Sequence, residues 1–140
     1  MSLKILIVED NETILFLLEQ FLTELGYRVF AYPDPIEASD FCRCFGGDSC
    51  ADIIITDNHM PRCSGLDYLE GLLKKGCTGR ERHMAIASGH WSMEEFKRAT
   101  ELGCKIFQKP YHLHEIRHWI EKCRESIPGN KKAKKDIVKL

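Results

Sequence analysis

Lys4-Ile-Leu-Ile-Val8, followed at once by Glu9-Asp10, is a short apolar run that ends on two carboxylates. A half-exposed strand alternates apolar and polar residues, whereas an unbroken aliphatic run suits a strand buried on both faces of a parallel sheet. The same design recurs along the chain. Asp52-Ile-Ile-Ile-Thr56 runs into Asp57, His83-Met-Ala-Ile-Ala87 into Ser88, and Lys105-Ile-Phe-Gln108 into Lys109-Pro110. Arg28-Val-Phe-Ala31 reads as a further strand, second in chain order.

Segments of helical period lie between these runs. After Asn11, a fitting N-cap, apolar residues fall at Ile14, Leu15, Leu17, Leu18, Phe21, Leu22 and Leu25, and Gly26 stands where a helix ends. Pro33-Asp34-Pro35 makes a turn opening a helix through about Phe45. Ser64 to Lys75 reads as the third helix. Ser92-Met-Glu-Glu95 is a capping-box pattern opening a fourth, which Gly103 closes. Leu113 to about Ser126 forms the fifth. Alternating strands and helices predict an α/β fold, a doubly wound five-stranded parallel sheet with five helices. Ligands of such sheets bind beyond the carboxyl ends of the strands, where Glu9, Asp10, Asp57, Ser88 and Lys109 fall.

The bulk properties agree with one ordinary domain. The chain has 140 residues, 44% hydrophobic and 29% charged, with a formal charge of -1. That charge gives no general attraction to nucleic acid or membrane, and no apolar run reaches the roughly 20 residues of a membrane-spanning helix. A cytoplasmic protein is expected, with its seven cysteines as reduced thiols. Cys42, Cys44 and Cys50 form the closest grouping, without the paired spacing or matching histidines of a metal site.

Taken together, Ile5-Leu-Ile-Val-Glu-Asp10, Ile55-Thr-Asp-Asn-His-Met-Pro61 with Ser64-Gly-Leu-Asp67, Ala87-Ser-Gly89 and Gln108-Lys-Pro110 resemble the response-regulator receiver family of two-component signalling. The resemblance runs from about Lys4 to about Glu125. It implies the chemotaxis-regulator-like form of the flavodoxin-like fold, with strand order 2-1-3-4-5. Residues 1–126 would be the receiver domain, and residues 127–140 a basic tail or the start of a linker. The chain would act alone or within a longer regulator.

The resemblance also implies a chemistry. Asp57 would accept a phosphoryl group from a phosphohistidine of a sensor histidine kinase or phosphotransfer protein. Mg²⁺ would be bound by Asp10, Asp57 and the main-chain carbonyl of His59, with Glu9 acting through metal-bound water. Two carboxylates about 4 Å apart repel by about 4 kcal/mol at an effective dielectric of about 20, so a converging acid cluster calls for a cation. Lys109 and Ser88 would bind the phosphoryl oxygens, and the Lys109–Pro110 bond would be cis. His59 and His90, each two residues after Asp57 and Ser88, would adjust the lifetime of the phosphorylated form. Such a domain catalyses only its own phosphorylation and dephosphorylation. It would relay to an output domain or protein through the fourth helix, fifth strand and fifth helix, and a homodimer is left open.

In one place the pattern departs from the family. The expected switch aromatic, three residues before the lysine, is Ile106 here, and the aromatic Phe107 lies two before it. Ile106 and Phe107 are both candidates for the switch position, the alternative being Phe107 as a core residue of the fifth strand with Ile106 at the switch position.

Blander readings stand beside these. A single Asp after a strand is commonly a turn or cap residue, and Lys109-Pro110 alone is a turn. His114 and His118, four apart, are read as a solvated helix face and Trp119 as packing. Lys131, Lys132, Lys134 and Lys135 have no aromatic interleaving to mark a nucleic-acid arm. Two rival functions remain. One is an aspartyl-phosphate hydrolase, which typically has an acid where His59 stands; the other is a pseudo-receiver that only binds.

Overall fold

The computed structural model describes residues 3–41, 51–75 and 83–127. Within them the chain alternates β1 (Lys4–Val8), α1 (Glu12–Glu24), β2 (Arg28–Tyr32), α2 (Pro35–Phe41), β3 (Ile53–Asp57), α3 (Gly65–Lys74), β4 (His83–Ser88), α4 (Met93–Glu101), β5 (Lys105–Gln108) and α5 (Leu113–Ser126). The strands form one sheet in the order β2-β1-β3-β4-β5, all pairings parallel. This is the doubly wound, flavodoxin-like order expected from the sequence. Cys42, Cys44 and Cys50, the expected end of the second helix near Phe45, and the lysines after residue 130 lie outside the described residues.

The aliphatic runs supply both faces of the sheet. Ile5, Ile7, Ile53, Ile55, Ala85, Ala87 and Phe107 pack with Leu18 and Leu22 of α1 and Ile116, Ile120 and Cys123 of α5. Their neighbours Leu6, Val8, Ile54, Met84 and Ile86 pack on the other face with Leu66, Leu69 and Leu72 of α3, Ala38 of α2 and Ala99 of α4. Successive residues of a strand point to opposite faces, so one strand with two helical layers above and below it must be apolar at every position.

The helix ends follow from their residues. Asn11 accepts from the Ile14 amide at 3.1 Å, and Ser64 from Asp67 at 3.1 Å. Ser92 and Glu95 complete both bonds of the capping box. Gly26 and Gly103 terminate α1 and α4 with φ of 97° and 79°, a left-handed conformation that a side chain disfavours.

Strand limits differ from the expected ones by a residue. Asp57 and Ser88 are the last residues of their strands, because Asp57 pairs with Ala87 and Ser88 with Gln108. Asp52 instead precedes β3, where its carboxylate accepts from the Lys4 amide at 2.9 Å and its own amide donates to the Lys4 carbonyl at 2.8 Å.

Ile54 has no exposed surface and sits mid-sheet between β1 and β4. Ile54→Ala is expected to cost about 2–5 kcal/mol in urea unfolding, through lost burial and the cavity left behind. A loss under about 1 kcal/mol would contradict the close packing of this face.

Candidate functional site

Three strand ends meet at one edge of the sheet. β1 and β3 are neighbours, so Val8 pairs with Thr56 and the next residues, Glu9 and Asp57, are carried to the same height. The two-residue period that aims Ile7 and Ile55 at α1 and α5 assigns Glu9 and Asp57 to that face as well. Glu9 is fully buried and Asp57 nearly so, whereas Asp10 on the following loop is exposed. Each of the three offers a carboxylate oxygen within 4.8 Å of the others.

Lys109 follows β5 and reaches in. Its Nζ lies 2.8 Å from Glu9 Oε1 and 3.2 Å from Asp57 Oδ1. Its amide donates to the Ser88 carbonyl at 2.8 Å, continuing the β4–β5 ladder, and the Lys109–Pro110 bond is cis. The second oxygen of Glu9 accepts from the Asn11 amide at 3.1 Å.

The electrostatics follow from burial. Desolvation, then the charge of Glu9, raises the Asp57 carboxyl to about 7, against the opposing pull of Lys109. Desolvation alone would lower the Lys109 ammonium, but hydrogen bonding and charge from Glu9, with the charge of Asp57, hold it above its usual range. A set of hard oxygens carrying more negative charge than one lysine neutralises fits a divalent cation of the magnesium type. Among the described residues this is the cluster of acids, histidines or cysteines that can hold a metal. His114 and His118 are exposed on α5. Cys63, Cys104 and Cys123 are free thiols, and burial pushes Cys104 up to about 11 and Cys123 up to about 12.

Neighbouring residues shape the rim. Ser88, fully buried, donates from Oγ to the His90 carbonyl at 2.7 Å and accepts from the His90 amide at 3.1 Å, so its hydroxyl is engaged within its own loop. His59 is exposed, its Nε2 3.3 Å from the His90 carbonyl and 3.6 Å from Glu95 Oε2. Phe107 is buried against α5, edge-on to Trp119 with centroids 5.8 Å apart. Ile106 lies half-buried on the opposite face, beside α4.

Several contributors went unrecognised in the sequence. Asn58, almost fully buried, donates to Glu95 Oε2 at 2.8 Å and accepts from the Leu66 amide at 3.2 Å, tying the loop after β3 to α3 and α4. A Cβ at Gly65 would collide with the Asp57 carbonyl, so α3 starts hard against the strand end. Both stand inside the quoted motifs, Asn58 next to Asp57 and Gly65 after Ser64. Glu95 reads in the sequence only as a capping residue, and Tyr111 carries no signal there.

Residues 5–121 match a family model described as the response regulator receiver domain. The chain is 38% identical over 66 residues to the autoinducer 2 sensor kinase/phosphatase LuxQ of Vibrio parahaemolyticus, covering 47% of this chain and 7% of that protein. It is 27% identical over 123 residues to sporulation initiation phosphotransferase F of Bacillus subtilis, covering 87% of this chain and 94% of that protein. Among solved structures, the non-phosphorylated HemR receiver domain of Leptospira biflexa superposes with a TM-score of 0.75 at 27% identity, covering 87% of this chain and 94% of that one.

Asp57 binds its proton more readily in the fold than in the unfolded chain, rising from 3.8 to about 7. Its contribution to stability is therefore full below 3.8 and is lost as pH rises through about 7. With a chelator present, Asp57→Asn is expected to gain urea stability relative to wild type between about pH 4 and about pH 8. An unchanged difference across that range would show that Asp57 carries no such strain.

Proposed function

The chain belongs to the response regulator receiver domain family, a signalling domain of two-component systems, and from that premise we propose that Asp57 is its phosphoryl acceptor. The observation that carries the reading is the convergence of Glu9, Asp10 and Asp57 within 4.8 Å, with Lys109 Nζ 3.2 Å from Asp57. An Asp57 carboxylate oxygen forms the bond to phosphorus as the phosphorus–nitrogen bond of a phosphohistidine breaks, and the electron pair leaves with the imidazole. The donor is a sensor histidine kinase or a phosphotransfer protein.

Asp10, Asp57 and the main-chain carbonyl of His59 would hold Mg²⁺, and Glu9 would act through its water. When bound, the ion supplies charge neutralisation for the acids and the phosphoryl oxygens. Lys109 binds a phosphoryl oxygen by a charge-assisted hydrogen bond, for which it must leave Glu9 or share the contact. Ser88 joins by exchanging its bonds to His90 for the phosphoryl oxygen, which loosens the loop into α4. Ile106, packed beside α4, is the position through which that change reaches β5.

Output would pass through α4, β5 and α5 to an output domain or protein, or to a second copy of this chain. α4 presents Met93 and Phe96, 91% and 53% exposed, for such a contact. Residues 1–126 act as the receiver and 127–140 as a tail or linker. Among the described residues no helix is long and apolar enough to cross a membrane, which accords with the proposed cytoplasmic location.

Incubation with Mg²⁺ and acetyl phosphate is expected to add one phosphoryl group by intact mass, and Asp57→Asn to abolish the gain. An equal gain in the variant, or none in wild type, would sink the proposal. His59 and His90 are proposed to adjust access of the hydrolytic water to the acyl phosphate. His59→Ala and His90→Ala are each expected to change the decay rate of the phosphorylated form by about two- to tenfold, of the order of one lost hydrogen bond. Unchanged decay in both would remove them from that role.

A further inference from the structure

Tyr111 lies two residues beyond Lys109 and packs among the side chains on the α1 and α5 face of the sheet. Its hydroxyl is buried and has no completed hydrogen bond, an uncommon state for a phenol in a protein interior. The ring lies beneath Lys109, whose Nζ is 5.4 Å from its centroid. Burial, then the nearby charges of Glu9 and Asp57, push the phenol up and keep it protonated, and hence a donor.

Glu9 is the group that needs a donor. It is fully buried, and its Oε1 has an ion pair to Lys109 at 2.8 Å but no hydrogen bond of good geometry. If Lys109 turns to a phosphoryl group on Asp57, Oε1 loses that cation while remaining buried. A buried carboxylate that trades an ammonium for a metal-bound water alone is left short of donors, and a donor beside it reduces that cost. We propose that Tyr111 is a positioning residue that hands its hydroxyl to Glu9 as Lys109 leaves, so that the lysine is released to the phosphoryl group. The inference rests on the acceptor reading above and assigns a residue that the reading does not use. The unpaired hydroxyl disfavours the resting state, and its pairing favours the phosphorylated one.

The test uses the full chain in wild type, Tyr111→Phe, Glu9→Gln and the double variant. Phosphorylation by acetyl phosphate with Mg²⁺ is followed by intact mass, and urea unfolding is measured without phosphodonor. Tyr111→Phe is expected to keep or raise the urea midpoint, since an unpaired hydroxyl is removed, yet to phosphorylate about tenfold more slowly, the size of one hydrogen bond to a charged group. On the Glu9→Gln background the same change is expected to have much less effect. Wild-type phosphorylation rate in Tyr111→Phe overturns the inference while leaving the acceptor reading intact. So does an equal loss on both backgrounds, or a loss that only tracks a lower midpoint. A wild-type chain that takes no phosphate overturns both.

Discussion

A single ammonium, Lys109 Nζ, sits between two buried carboxylates, 2.8 Å from Glu9 and 3.2 Å from Asp57. Much of the sheet edge is organised around that contact. Two buried acids without a cation would be costly, and removing one partner of such a set leaves an uncompensated charge in the interior. The lysine only partly balances the cluster, since Asp57 is still raised to about 7. The excess negative charge is the feature that suits the edge to a divalent cation and to a transferred group carrying its own charge. The resting structure therefore holds electrostatic strain at the place where the proposed chemistry occurs.

The surrounding loops confine this strain to one spot. Asn58 ties the end of β3 to α3 through Leu66 and to α4 through Glu95, and Gly65 brings α3 directly against the Asp57 carbonyl. Ser88 holds the start of the β4–α4 loop through two bonds to His90. These are polar contacts with alternative partners, unlike the aliphatic packing beneath them. A change in charge at Asp57 thus meets a rigid sheet below and exchangeable hydrogen bonds above. In the proposed switch, movement at the site would be directed toward α4, because the close-packed core yields least.

The elements were legible because each carries its own local signal. Unbroken aliphatic strands, a capping box at Ser92 and Glu95, and closing glycines at positions 26 and 103 are all short-range features. The acids at the ends of β1 and β3 could be read from position along the chain, given a parallel sheet. Less legible were residues whose meaning depends on a distant partner. Asn58 and Glu95 are 37 positions apart, and nothing in either local sequence marks the bond between them. Tyr111 carries no motif signal, yet its unpaired hydroxyl is buried where the charges of Glu9 and Asp57 reach it.

Periodicity, caps and turns were enough to specify five strand–helix units and the edge at which polar groups gather, since those properties depend on neighbours a few residues away. Parallel register then decided which of those groups meet. It set Phe107 opposite Ala87 and so against α5, with Ile106 turned to α4. It also brought Lys109 to Glu9 and Asp57 together, although 100 positions separate Glu9 from Lys109. Burial finished the site. The charge state of Asp57 and the unpaired hydroxyl of Tyr111 follow from exclusion of water, which depends on every element packed around them and on no single stretch of sequence.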